Sequence, residues 1–235
     1  MTAKPIMCAE CGRAPARPNR KTCLNCIEAF AQRCGVPPEG RDPAEVRHEL
    51  TCRRGAALLL HGRLTGRPGD ETAGMTVVLA ECHVRPGLTP AAALVDPLLN
   101  LAGLVVDGYL GGELVSTWRT QFVERLAVAG GIAAAEAEIT ADADLARDCR
   151  ATEAAEIVLR GRLTRDVELE ARGWALADDA AGRSDATPPG VLLGPILGLV
   201  NDNLRGVARD RFVEALRKVL MMWAPPTPDN VEGLM

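Results

Sequence analysis

A chain of 235 residues, 47% of them hydrophobic, can bury a substantial core, and its length allows one or two domains beside a small module. Aromatics make up only 3% of residues, which argues against the base-stacking platforms of RRM or OB domains, and no apolar run approaches the ~20 residues that span a bilayer. The net charge of −4 is unevenly placed: Lys4, Arg13, Arg17, Arg20 and Lys21 against Glu10 leave residues 1–26 at +4 and the remainder at −8, which argues against a nucleic-acid groove running along the whole chain.

The first element is a cysteine cluster. Cys8-Ala-Glu-Cys11 and Cys23-Leu-Asn-Cys26 are two CxxC pairs. A tetrahedral Zn²⁺ takes four thiolates at about 2.3 Å, and two intervening residues let both sulfurs of a tight turn reach one ion. Gly12 suits a knuckle that needs positive φ, and the stretch from Gly12 to Thr22 is long enough to close the circuit. The string after Cys23 reads as a helix, so the second pair sits at a helix N-terminus, where the dipole favours thiolates, with Ile27 and Phe30 as the module's core. Cys8, Cys11, Cys23 and Cys26 are therefore the expected zinc ligands, within a module spanning residues 1–34. Cys34, Cys52, Cys82 and Cys149 are singly spaced and read as small core residues; a second metal site built on Cys82, His83 and Cys52 or His61 is the weaker alternative.

Over residues 8–33 the string CAECGRAPARPNRKTCLNCIEAF resembles the small treble-clef or zinc-ribbon-like four-cysteine modules of certain small-subunit ribosomal proteins and, less closely, DksA/TraR-type regulator fingers. The resemblance implies four ligands at Cys8, Cys11, Cys23 and Cys26, a knuckle glycine at Gly12 and a basic contact at Arg13.

The rest of the chain reads as an internal duplication. Residues 89–108 align without gaps on the residues 98 positions later, with Thr89, Pro90, Leu94, Pro97, Leu99, Leu101 and Gly108 repeated as Thr187, Pro188, Leu192, Pro195, Leu197, Leu199 and Gly206. Leu58–Thr65 matches Ile157–Thr164 at an offset of 99, and Arg119–Leu126 matches Arg209–Leu216 at an offset of 90. Three blocks in one order imply two copies, residues 43–129 and 142–223, joined by 130–141 and followed by a flexible tail at 224–235. The shift in offset places an insertion, Leu110 to Thr117, in a loop of the first copy.

In chain order, 43–65 is expected as a helix facing inward with Val46, Leu50, Ala57, Leu60 and Leu64, and 142–164 as its counterpart with Leu145, Cys149, Leu159 and Leu163. Segments 72–84 and 166–178 are ambiguous, since Met75–Ala80 is β-branched and Val167–Ala171 alternates. Thr89-Pro90 and Thr187-Pro188 supply an N-cap and a proline at N1, and Pro97 and Pro195 are expected to kink or restart those helices. Residues 118–128, with Phe122, Val123 and Leu126, and 208–223, with Phe212, Val213, Leu216, Val219, Leu220 and Trp223, complete the copies. The expected fold class is mainly α: an N-terminal four-cysteine zinc module followed by two tandem copies of a helical domain, with ββαα per copy as the alternative.

The chain lacks GxGxxG, GxxxxGK[ST], HExxH and GxSxG, and His48, His61 and His83 have no evident nucleophile or carboxylate partner. His61 aligns with Arg160, which suits a solvated polar position. An enzyme, built around His61, Glu81 and His83, is the least favoured reading. The favoured one is a zinc-binding regulatory or accessory protein whose basic finger contacts DNA or RNA through Arg13, Arg17, Arg20 and Lys21, with the helical body making protein contacts. The runner-up is a protein–protein adaptor or inhibitor in which the finger is purely structural. The start Met-Thr-Ala-Lys has no signal-peptide core, so a cytoplasmic location with reduced thiols and no membrane association is expected.

Overall fold

The computed structural model describes residues 42–107, 113–182 and 186–222. Among them every regular element is helical: α1 (Pro43–Thr65), α2 (Pro68–Val84), α3 (Pro90–Asp107), α4 (Glu113–Ile139), α5 (Ala143–Thr164), α6 (Val167–Ala181), α7 (Pro188–Asn203) and α8 (Gly206–Met222). The two ambiguous segments are thus helices, within α2 and α6, and ββαα does not occur. The short runs of β-branched or alternating residues there are outweighed by tertiary contacts along the helix. Two compact units divide at the first turns of α1, Met1–Leu50 and Thr51–Met235. In the first, Asp42 opens α1, its carboxylate accepting from the Ala44 amide at 2.8 Å and its carbonyl from the Val46 amide at 3.1 Å.

Within the second unit, helix starts follow the expected capping chemistry. Asp142 accepts from the amides of Asp144 and Leu145 at 2.9 and 3.1 Å, and Asp166 from Leu169 at 2.9 Å. Thr89 and Thr187 cap α3 and α7 through the Ala92 and Gly190 amides at 3.2 and 3.3 Å. α3 and α7 run on through Pro97 and Pro195 rather than restarting. α4 is much longer than the expected 118–128: it takes in residues 113–117 of the supposed insertion loop and all but the end of the supposed linker 130–141. The Gly130-Gly131 pair that suggests a linker is helical, and a Cβ on Gly130 would lie 2.6 Å from Glu156 Oε2.

The α1–α2 and α5–α6 hairpins are built alike. Arg67 N donates to Gly62 O and Asp166 N to Gly161 O, each at 2.9 Å, and the residue one earlier, Gly66 or Arg165, takes the left-handed conformation with φ of 67° or 61°. A Cβ on Gly62 would lie 2.7 Å from Glu71 N, and one on Gly161 would lie 2.5 Å from Glu170 N. Gly74 and Gly173 pack against Gly55 and Ala154 carbonyl oxygens in the same way. Helix pairs this close exclude side chains at the crossing.

One continuous core joins α1–α4 to α5–α8. Leu60, Leu94, Leu98, Leu126, Leu159, Leu192, Ile196, Phe212 and Leu216 belong to a single buried cluster. α5 packs against α4, α6 and α7, while α3 packs against α7 and α5. Phe212, Val213, Leu216 and Val219 of α8 face this core as their spacing predicts, whereas Leu145, expected inside, is 51% exposed at the start of α5. Leu145 lies in the first turn of α5, where its amide donates to the Asp142 cap. Cys52 and Cys149 are buried, as expected of small core residues, and Cys82 is partly so. Burial pushes the Cys82 and Cys149 thiols up, and Glu136 adds to the effect at Cys149.

Candidate functional site

The expected zinc ligands Cys8, Cys11, Cys23 and Cys26 and the expected phosphate contacts Arg13, Arg17, Arg20 and Lys21 lie outside the described residues, as does Cys34. No cluster of three or more His, Cys, Asp or Glu side chains able to hold a metal occurs among the described residues. No described helix is long and apolar enough to cross a membrane. The helical body does contain three polar clusters that periodicity does not reveal.

The first surrounds His61, which is 5% exposed and not the solvated position its pairing with Arg160 suggests. Burial is possible because two other helices bring it partners. Its Nδ1 lies 2.9 Å from Asp70 Oδ2 on α2, and Arg217 Nε on α8 points at its Nε2 from 3.4 Å. Arg217 can only donate, so Nε2 accepts and the ring proton sits on Nδ1, an assignment made from the partners. A carboxylate on Nδ1 is the orienting half of an acid–base pair, but a general base needs an open Nε2. Here that nitrogen is covered by a guanidinium, and the arrangement ties α1, α2 and α8 together. The other members of the weighed catalytic set have separate partners: His83 Nδ1 contacts the Leu79 carbonyl of its own helix at 2.7 Å, and Glu81 pairs with Arg85 at 3.3 Å.

The second cluster is centred on Arg162. Its Nε contacts both oxygens of Glu170 at 3.0 Å, and its two terminal nitrogens reach Asn100 Oδ1 at 2.8 Å and Asp96 Oδ1 at 3.2 Å. Burial lowers the guanidinium's pKa, but the hydrogen bond and charge of Glu170, with Asp96, more than offset it and the net shift is upward. Arg63 pairs with Glu71 in the corresponding hairpin at 3.4 Å.

The third is Glu156, 3% exposed on α5. Arg160 Nε lies 2.9 Å from its Oε1, yet neither atom is aligned for a hydrogen bond, so the contact is an ion pair only. The carboxyl fills the space that Gly130 leaves on α4, where a Cβ would lie 2.6 Å from Oε2. Burial raises its pKa from 4.5 to about 7, against the lowering pull of Arg160 and with a smaller push from Glu153.

An open groove of about 620 Å³ lies between α4 and the α7–α8 turn, walled by Val128, Ala129 and Ile132 on one side and Asp202, Asn203 and Arg205 on the other. Arg125 donates across it to the Asn203 carbonyl at 3.1 Å. Compared with protein-family models, with curated proteins and with solved structures, the chain matches none.

Proposed function

We propose that this protein is a zinc-binding regulatory or accessory factor whose cationic N-terminal finger contacts nucleic acid and whose helical body, a duplicated four-helix unit, serves as a rigid scaffold for protein contacts. The observation that carries the reading is the pair of CxxC turns at Cys8–Cys11 and Cys23–Cys26 enclosing Arg13, Arg17, Arg20 and Lys21. Four thiolates on Zn²⁺ subtract two charges from the +4 of residues 1–26, which leaves a tip still able to neutralise phosphates and release counterions. In the body, the ionisable clusters around His61 and Arg162 have partners that hold helices together, which favours a scaffold over a catalyst.

The duplication is supported by repeated geometry at aligned positions. Gly62 and Gly161, Gly66 and Arg165, and the Arg63–Glu71 and Arg162–Glu170 pairs occupy equivalent places in the two hairpins. That near-symmetry also favours the second reading, an adaptor or inhibitor offering two related surfaces with a structural finger.

The deciding experiment measures binding of the zinc-loaded chain to a labelled DNA duplex and a labelled RNA hairpin across a salt series. Affinity is expected to fall steeply with salt and to vanish when Arg13, Arg17, Arg20 and Lys21 are all changed to Gln. Unchanged binding in that variant, or none in the wild type, overturns the nucleic-acid reading and leaves the adaptor.

A further inference from the structure

We infer that Arg63, in the last turn of α1, anchors a carboxylate-binding site whose facing wall is the Gly194–Gly198 stretch of α7. The second hairpin contains the filled form of the same site. The inference goes beyond the finger and rests only on the matching geometry of the two hairpins, so failure of either leaves the other standing.

Arg162 is the residue aligned with Arg63, and its guanidinium is shared between two helices. Its own hairpin supplies Glu170, 3.0 Å from Nε, and α3 supplies Asp96 Oδ1 at 3.2 Å and Asn100 Oδ1 at 2.8 Å. One carboxylate therefore does not exhaust the arginine fork, and a second is accepted beside the first. Arg63 keeps the hairpin half of this arrangement, with Glu71 Oε2 3.4 Å from Nη2, and has no other polar partner among the described residues.

The half that α3 supplies to Arg162 is absent at Arg63 for a reason written in the sequence. The positions 98 after Asp96 and Asn100 are Gly194 and Gly198 of α7. Two contacts place that helix. Arg119 closes the Leu163 carbonyl next to Arg162, as Arg209 closes the Leu64 carbonyl next to Arg63. Arg209 also reaches Asn201 Oδ1 at 3.3 Å, so the end of α1 and the end of α7 share one side chain, and Gly198 is the residue one helical turn back from Asn201. α7 thus stands to Arg63 as α3 stands to Arg162. A Cβ on Gly194 or on Gly198 would meet nothing within 4 Å, which leaves open the room that Asp96 and Asn100 fill in the other half. The site is reachable from solvent: the Arg63 side chain is 49% exposed, against 28% for Arg162.

The filled copy specifies the ligand chemistry. One terminal nitrogen takes a carboxylate and the other an amide oxygen, while Glu170 stays in place beside them. An acylated aspartate carries both groups, either as a free small molecule or within a peptide.

Nuclear magnetic resonance on the full chain tests this, following the Gly194 and Gly198 amides and the Arg63 Nε–Hε signal during titration with N-acetylaspartate amide into the millimolar range. A saturable shift of all three is expected, with N-acetylasparagine amide, the uncharged isostere, at least tenfold weaker. Arg63→Gln should abolish the glycine shifts. An alanine-based peptide carrying Asp-Ala-Ala-Ala-Asn distinguishes the sources: tighter binding than the single residue assigns the site to a peptide segment, and equal binding to a free acid. Gly194→Asp with Gly198→Asn fills the site from within, so it should abolish probe binding and raise the melting temperature, and the rise should shrink when Arg63→Gln is added. No saturable shift, equal binding of the neutral isostere, glycine shifts that survive Arg63→Gln, or a melting gain indifferent to Arg63 overturns the proposal.

Discussion

Arg209 on α8 donates through Nε and Nη2 to the carbonyl oxygen of Leu64, at 3.1 and 2.6 Å, across 145 residues of chain. Leu64 lies in the last turn of α1, where carbonyls have no partner within their own helix. At the aligned positions, Arg119 of α4 donates to the carbonyl of Leu163 in the last turn of α5. Each arginine therefore closes the end of a helix belonging to the other half, and the two halves are clasped reciprocally.

A charge-assisted hydrogen bond at a helix C-terminus is worth about 1.5–3 kcal/mol. Arg209→Ala is expected to lower stability by about 2 kcal/mol in urea unfolding, and Arg119→Ala by a similar amount. A loss below about 0.5 kcal/mol in both would mean that water caps these carbonyls equally well.

Glu156 makes stability depend on pH near neutrality. Its folded pKa, about 7, lies above the ordinary 4.5, so the folded state holds its proton more tightly than the unfolded chain. The benefit is complete below pH 4.5 and is lost as pH rises through about 7. The full difference is at most about 3 kcal/mol. Urea midpoints should therefore fall between pH 5 and 8, and Glu156→Gln should flatten that slope. An equal slope in the variant would assign the pH dependence to other groups.

Glycines in the helices should respond with opposite signs. Gly161→Ala places a Cβ 2.5 Å from the Glu170 amide nitrogen and should lower stability by about 1–3 kcal/mol while loosening the Arg162–Glu170 contact. Gly198 meets nothing within 4 Å, so Gly198→Ala should raise stability by about 0.5–1 kcal/mol through helix propensity alone. Thermal melts of both variants check the pair; stabilisation by Gly161→Ala would contradict the close crossing of α5 and α6.

Arg165 holds a left-handed conformation, φ 61°, where the matching hairpin has Gly66. Arg165→Gly removes a strain of about 1 kcal/mol, and a rise in melting temperature of a few degrees is the expected outcome. No rise would mean that contacts of the Arg165 side chain offset the strain.

Chelation of zinc, or Cys26→Ser, should release one equivalent of metal and unfold the N-terminal module while the melt of the helical body is unchanged. Elemental analysis of the reduced wild-type protein should find one zinc per chain, and native amide-proton exchange in residues 1–34 of a metal-free sample would refute the site.

The helices themselves are legible from local chemistry. Phe212, Leu216 and Val219 recur at helical spacing and are buried, and Thr89 and Thr187 cap the helices they are expected to cap. The length of α4 is not legible, because Gly130-Gly131 looks like a break until Glu156 arrives from α5 to occupy the space beside Gly130. The burial of His61 is hidden for the same reason, since neither Asp70 nor Arg217 announces itself in the residues around it.

The order of residues alone determined the helical spacing of segments such as 208–222 and the caps at Thr89 and Thr187, because periodicity and caps are properties of neighbours along the chain. Tertiary structure alone decided which polar groups are buried and which carbonyls Arg119 and Arg209 close. Those pairings join positions up to 156 residues apart, and only packing brings them within hydrogen-bond reach.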